Sequence, residues 1–118
     1  MNRERLRQMV TMLRELPATN HIGFDLGDWY CGTTACAVGH ACLDPVFREQ
    51  GLILRQDFDG VCPVFGVHDG WDAVEMFFEL STAEAENLFY RPTYPEYGAN
   101  TTPAHVADRI EELLASEA

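Results

Sequence analysis

Lysine is missing from the 118 residues, and the eight basic residues, all arginine, face 19 acidic ones for a formal net charge of −11. Phosphate backbones and anionic membrane surfaces are held chiefly by Lys and Arg, so direct nucleic-acid binding is disfavoured. What basic character there is clusters early, with Arg3, Arg5, Arg7 and Arg14 available for a local patch on the first helix. Long apolar runs are also missing, which excludes a bilayer-spanning helix. Residues 1–7 are charged with no apolar stretch behind them, so no secretory signal is expected, and the expected compartment is the cytoplasm. Cysteine is scarce: Cys31, Cys36, Cys42 and Cys62 are too few for a disulfide scaffold and read as thiols.

What is present suits a folded chain. Hydrophobic residues make up 47% and charged residues 23%, close to globular averages, so disorder is excluded as the main state. The length fits a single domain over residues 1–118, one that buries roughly two-thirds of its unfolded surface. The acidity favours solubility, a basic protein partner or a cationic ligand.

Residues 2–16 read as the clearest helix. Leu6, Met9, Val10, Leu13 and Leu16 repeat at helical spacing with arginines opposite, Asn2 caps the start, and Pro17 is expected to end it. Residues 17–32 are punctuated by Gly and Pro yet carry Ile22, Phe24, Leu26, Trp29 and Tyr30, so they are expected to pack down as an irregular segment. A second helix is expected from Thr33 or Thr34 through Cys42. Asp44-Pro45 then reads as a cap and first position of a short helix closed by Gly51. Leu52, Ile53 and Leu54, the turn signal Asp59-Gly60, and Val61, Val64, Phe65 and Val67 predict a β-hairpin, with Pro63 confining its second strand to an edge. Three more helices follow: residues 71–80, one opened by the capping box Ser81/Glu84, and one capped by Thr102 with Pro103 at its start. The expected fold is α+β, predominantly α, with about five short helices around one core and a small β-hairpin.

The stretch from Cys31 to Cys42 is the most unusual. Its small residues Ala35, Ala37, Gly39 and Ala41 allow another element to approach the second helix closely, which would offset the roughly 1 kcal/mol that a helical glycine costs. Three readings attach here and to the acidic residues. Cys31, Cys36 and His40 could ligate a metal with Cys62 or His68; zinc is the metal such a set would take, but the Cys-x4-Cys spacing lacks a second knuckle, and buried thiols are the plainer reading. Cys36, expected in the first turn of the second helix and one turn before His40, could be a nucleophilic or redox thiol activated by the helix N-terminus and by His40, with Asp25, Asp28 or Asp69 orienting the histidine. A reversible Cys31–Cys36 disulfide belongs to the same class. Against both stands a structural helix start with a packed histidine. No cofactor is otherwise expected, and an enzyme is the weaker class.

Asp72, Glu75 and Glu79 share one helix face by spacing, with Glu86 extending it, and form a candidate binding surface that could ligate a metal or imitate a phosphate backbone toward a basic protein partner. The plain alternative is a solvated amphipathic face. Tyr90, Tyr94 and Tyr97 could add a contact loop or simply cover the core edge, and Trp29 and Trp71 read as core or rim anchors. An aromatic, uneven surface also leaves a homodimer open.

The pattern Cys31-Gly-Thr-x-x-Cys36-x-x-Gly39-x-Ala41, followed by Leu80-Ser81-x-x-Glu84-Ala85-x-x-Leu88-Phe89, resembles a family of small bacterial and bacteriophage proteins. Cys42 and Cys62 fall outside that pattern. The resemblance implies a bacterial or phage cytoplasm and the accessory gene pool, and brings no activity with it. In that setting the expected function is an acidic protein-interaction module that modulates a host or defence protein. The alternative is a thiol-dependent enzyme or redox protein centred on Cys36 and His40, or a metal- or small-ligand-binding domain using the same residues.

Overall fold

The computed structural model describes residues 1–19, 23–27, 29–30, 32, 34–58 and 60–116. Helix α1 (Arg3–Thr19) is followed by β1 (Gly23–Phe24), β2 (Thr34–Ala35), α2 (Ala37–Leu43) and α3 (Pro45–Glu49). Strands β3 (Leu52–Asp57), β4 (Gly60–Phe65) and β5 (His68–Asp69) come next, then α4 (Gly70–Phe78), α5 (Thr82–Phe89), two 3-10 turns and α6 (Pro103–Ser116). The fold is α+β and predominantly α, as expected, with a three-stranded antiparallel sheet in the order β3-β4-β5. Strands β1 and β2 form a separate two-residue parallel pair.

Helix α1 supplies one wall of the core through Leu6, Met9 and Leu13, all fully buried at the helical spacing seen in the sequence. It lies antiparallel along α6: Arg3 donates to the Leu114 carbonyl at 2.9 Å, while Arg14 reaches Asp108 and Glu111 at 2.7 and 3.1 Å. Val106, Ala107 and Ile110 fill the α6 side of that seam, and Val38, Cys42, Phe47, Leu52, Val74, Phe77 and Phe78 continue the same core. Arg5 bridges three elements, donating to Gln50 Oε1 and to the Phe77 carbonyl, each at 2.9 Å, with its guanidinium 4.2 Å from the Phe77 ring centroid. Arg3, Arg5 and Arg14 are therefore engaged within the fold, which dissolves much of the basic patch that their clustering suggested.

Four features differ from the sequence expectation. Helix α1 runs past Pro17 to Thr19. Proline's fixed φ is itself helical, and its missing N–H removes one bond to the preceding turn without preventing the next residues from bonding. Helix α2 begins at Ala37 because Thr34 and Ala35 are drawn into pairing with Gly23 and Phe24. Thr33, the other expected cap, lies outside the described residues. Strand β4 is the middle strand, not an edge, because β5 pairs with Val64 and Phe65. Pro63 is tolerated because β5 stops short of it, leaving its other neighbour, Leu54 of β3, as its paired residue. Asp57 pairs with Gly60, so the hairpin register falls one residue earlier than the Asp59-Gly60 signal implied; Asp59 itself is outside the described residues.

The remaining caps follow the sequence. Asn2 Oδ1 accepts from the Arg5 amide and Asp44 Oδ1 from the Val46 amide. Ser81 and Glu84 form the reciprocal capping box. Thr102 Oγ1 accepts from the His105 amide while His105 Nδ1 accepts from the Thr102 amide at 3.0 Å, so the histidine takes the place of the usual glutamate. Among the described residues no helix is long and apolar enough to cross a membrane.

Candidate functional site

The joint between α4 and α5 builds a cleft from two rows of side chains spaced one helical turn apart. Trp71 and Glu75 stand on α4; Thr82 and Glu86 stand on α5, with Tyr90 at its C-cap. Gly70 enters α4 at φ +58°, a left-handed conformation that glycine adopts without steric cost, and thereby sets Trp71 in the first turn. The Ser81 capping box fixes the start of α5. Thr82 Oγ1 then donates to Glu75 Oε1 at 3.0 Å, closing the base of the joint. These five residues line a cleft of about 330 Å³.

Trp71 and Tyr90 are shared with a second cleft of about 310 Å³. Their rings meet edge to face at 5.9 Å, and Trp71 meets Trp29 at 5.2 Å. Leu26, Cys36, Phe89 and Arg91 also border this second cleft. The Arg91 guanidinium lies 3.5 Å from Asp25, whose carboxylate also accepts from the Gly27 amide at 2.9 Å. Trp71 and Tyr90 are thus common to an acidic cleft, lined by Glu75 and Glu86, and a cleft that Arg91 lines. Both tryptophans are rim residues, one of the two placements their composition suggested.

Gly39 is what lets Trp29 reach these rings. A Cβ at position 39 would overlap the Trp29 carbonyl oxygen and come within 3.0 Å of the Ala35 Cβ. The close approach anticipated from the small residues is therefore made by the backbone of the 29–30 segment against α2. Tyr30 bridges to Ala35 beside it.

Cys36 is the N-cap of α2 and lies outside its first turn. Its Sγ accepts from the Gly39 amide at 3.3 Å and is 3.9 Å from the Trp29 carbonyl, to which the thiol can donate. The shift out of the first turn follows from the β1–β2 pairing, which holds Thr34 and Ala35 extended. His40 is 2% exposed, stacked on Phe24 at 5.9 Å, with Nε2 donating to the Gly23 carbonyl at 2.9 Å. A carbonyl can only accept, so Nε2 carries the proton. Burial lowers the His40 pKa from its ordinary 6.5, partly countered by that hydrogen bond. Cys42 is buried, and its thiol is pushed up to about 12 by desolvation and, less so, by nearby Cys36.

The other candidates disperse. Asp69 binds Arg55 at 2.8 Å and Asp25 faces Arg91, so both carboxylates proposed to orient His40 have partners elsewhere; Asp28 lies outside the described residues. Cys62 is on the hairpin, 3.7 Å from Arg55, and His68 Nδ1 is 3.6 Å from Asp72. Cys31 lies outside the described residues, and among those residues no group of three His, Cys, Asp or Glu side chains could hold a metal ion.

Of the acidic stripe, Glu75 lines the cleft, Asp72 is exposed beside His68, and Glu79 has left the helix. Glu79 is the C-cap at φ 56°, ψ 53°, which turns its side chain toward Asn2 Nδ2 at 3.1 Å. Glu86 joins Glu75 instead, through the other helix. Tyr94 is core, donating to the Leu88 carbonyl at 2.6 Å beneath the Arg109 guanidinium, and Tyr97 stacks on His105 at 3.6 Å. The pairing of Trp71 and Glu75 with Thr82, Glu86 and Tyr90 was carried in the sequence by two sets of i, i+4 spacings. It was not legible there because the sequence does not say how α4 folds against α5. No family model, curated protein or solved structure matches this chain.

Proposed function

We propose that this protein is an acidic protein-interaction module that engages a basic segment of a partner through the α4–α5 face. The observation that carries this reading is the cleft itself, where Glu75 and Glu86 stand beside Trp71 and Tyr90. Aromatic side chains supply large contact area at small entropic cost, and carboxylates beside them select for positive charge. Asp72, exposed on the same helix, adds to the field at the rim, and the net charge of −11 attracts a basic partner over longer range. The resemblance to bacterial and phage proteins directs the search for that partner to a bacterial host, including its defence proteins. Geometry at Cys36 and His40 gives the thiol-enzyme alternative less support, since the Cys36 sulfur caps α2 and His40 Nε2 faces a carbonyl.

The test is fluorescence anisotropy with a labelled arginine-serine peptide as the probe. Reversing Asp72, Glu75 and Glu86 to Lys should weaken binding by at least about tenfold at low ionic strength. Reversing Glu4, Glu49 and Glu96, which changes net charge equally and leaves the cleft intact, should weaken it far less. Equal losses in both variants would mean that overall charge alone attracts the peptide, and the module reading would fail.

A further inference from the structure

We propose that the cleft between α4 and α5 is a recognition pocket for a single arginine side chain of the partner. The inference rests on the interaction reading above and assigns the chemistry of its central contact. Three features of the pocket point to a guanidinium. Its volume, about 330 Å³, lies at the small end of ligand pockets and suits one side chain better than an extended cofactor. Its wall contains Trp71 and Tyr90, whose faces favour a cation, and arginine adds planar stacking that an ammonium cannot.

The third feature is the pair of carboxylates. Glu75 and Glu86 enter from different helices, so a planar donor fork can meet both, whereas an ammonium is a point charge. The Thr82 hydroxyl occupies one acceptor position on Glu75 Oε1, and a carboxylate offers about four. That hydrogen bond also holds the Glu75 side chain in place before the ligand arrives, reducing the ordering cost of binding. Arg91 pairs with Asp25 and lines the neighbouring cleft, not this one.

The test titrates ¹⁵N-labelled protein with N-acetyl-arginine-amide and, separately, with N-acetyl-lysine-amide and N-acetyl-citrulline-amide. Arginine should give saturable shifts in the Trp71 indole and the amides of Glu75, Thr82, Glu86 and Tyr90. Lysine should bind at least about threefold more weakly, and citrulline, which keeps the shape without the charge, should give no saturation. In Glu75→Gln/Glu86→Gln, where glutamine can still accept from Thr82, the arginine affinity should fall at least about fivefold with the rest of the spectrum preserved. A Glu4→Gln/Glu49→Gln variant, equal in charge, should retain it. Equal binding of lysine, shifts scattered over the acidic surface, or full affinity in the cleft variant would overturn the assignment. If the arginine-serine peptide still binds the α4–α5 face under those results, the interaction reading survives without this pocket; if it does not bind, both fall.

Discussion

Gly39 sits where the backbone at Trp29 is pressed onto α2, and among the described glycines it is the one where an added Cβ meets the closest obstruction. A methyl group there would collide with the Trp29 carbonyl, a backbone atom that cannot move aside without displacing the 29–30 segment. Gly39→Ala should therefore destabilise the protein by about 3 kcal/mol or more, despite alanine's better helix propensity, as read from urea unfolding. A stabilised variant would mean that Trp29 is not held against α2. His40 makes a second residue-scale prediction. Its pKa is lowered in the folded protein by burial, so the unfolded chain binds the proton more readily. The resulting stability is fully present above the unfolded value near 6.5 and is lost as pH falls below it toward the folded pKa. In His40→Gln, where the amide can still donate to Gly23, this dependence should vanish. The gap in unfolding free energy between wild type and variant should shrink from about pH 7 to about pH 5. Parallel curves would show that His40 titrates alike in both states. The small-residue pattern of the 35–41 stretch made the close approach legible in the sequence. What approached it was not, because Trp29 is brought there by a two-residue parallel pairing too short to leave a periodic signal.

Elements were legible where a local chemical signal set their ends. Asp44-Pro45, Ser81/Glu84 and Thr102-Pro103 each place a side-chain acceptor before the first turn, and each helix starts there. Boundaries set by partners at a distance were not. Helix α2 starts late because Thr34 and Ala35 pair with residues ten or so positions earlier, and β4 is central because β5 folds back on its end. The candidate cleft belongs to the same category: its halves obey helical spacing, but their meeting is a tertiary event. Glu79 shows the reverse failure, since a periodicity argument carried it along the α4 stripe while the chain had already turned through a left-handed residue. The Ser81 box is the device that couples helix ends to function, because it fixes the start of the helix bearing Thr82, Glu86 and Tyr90. Ser81→Ala should lower stability by about 1 kcal/mol with an unchanged m-value and weaken peptide binding with it. Loss of stability without any loss of binding would separate the cap from the cleft.

Over the whole molecule, charge and exposed apolar surface are distributed unevenly. The arginines of α1 largely serve the fold, through Leu114, Gln50, Phe77, Asp108 and Glu111, which leaves the acidic residues to set the outer field. Exposed aromatic character occurs at Tyr90 on the cleft, at Tyr97 beside His105, and at Phe58 on the hairpin, which is fully exposed. Those places make different predictions for where a partner sits. The most direct measurement is a chemical-shift map of the ¹⁵N-labelled protein with the arginine-serine peptide. Shifts centred on Trp71, Glu75, Thr82, Glu86 and Tyr90, with the α1–α6 seam and the hairpin undisturbed, are the result predicted here. Shifts centred on the hairpin around Phe58, or spread evenly over the acidic surface, would contradict the assignment of function to the α4–α5 face.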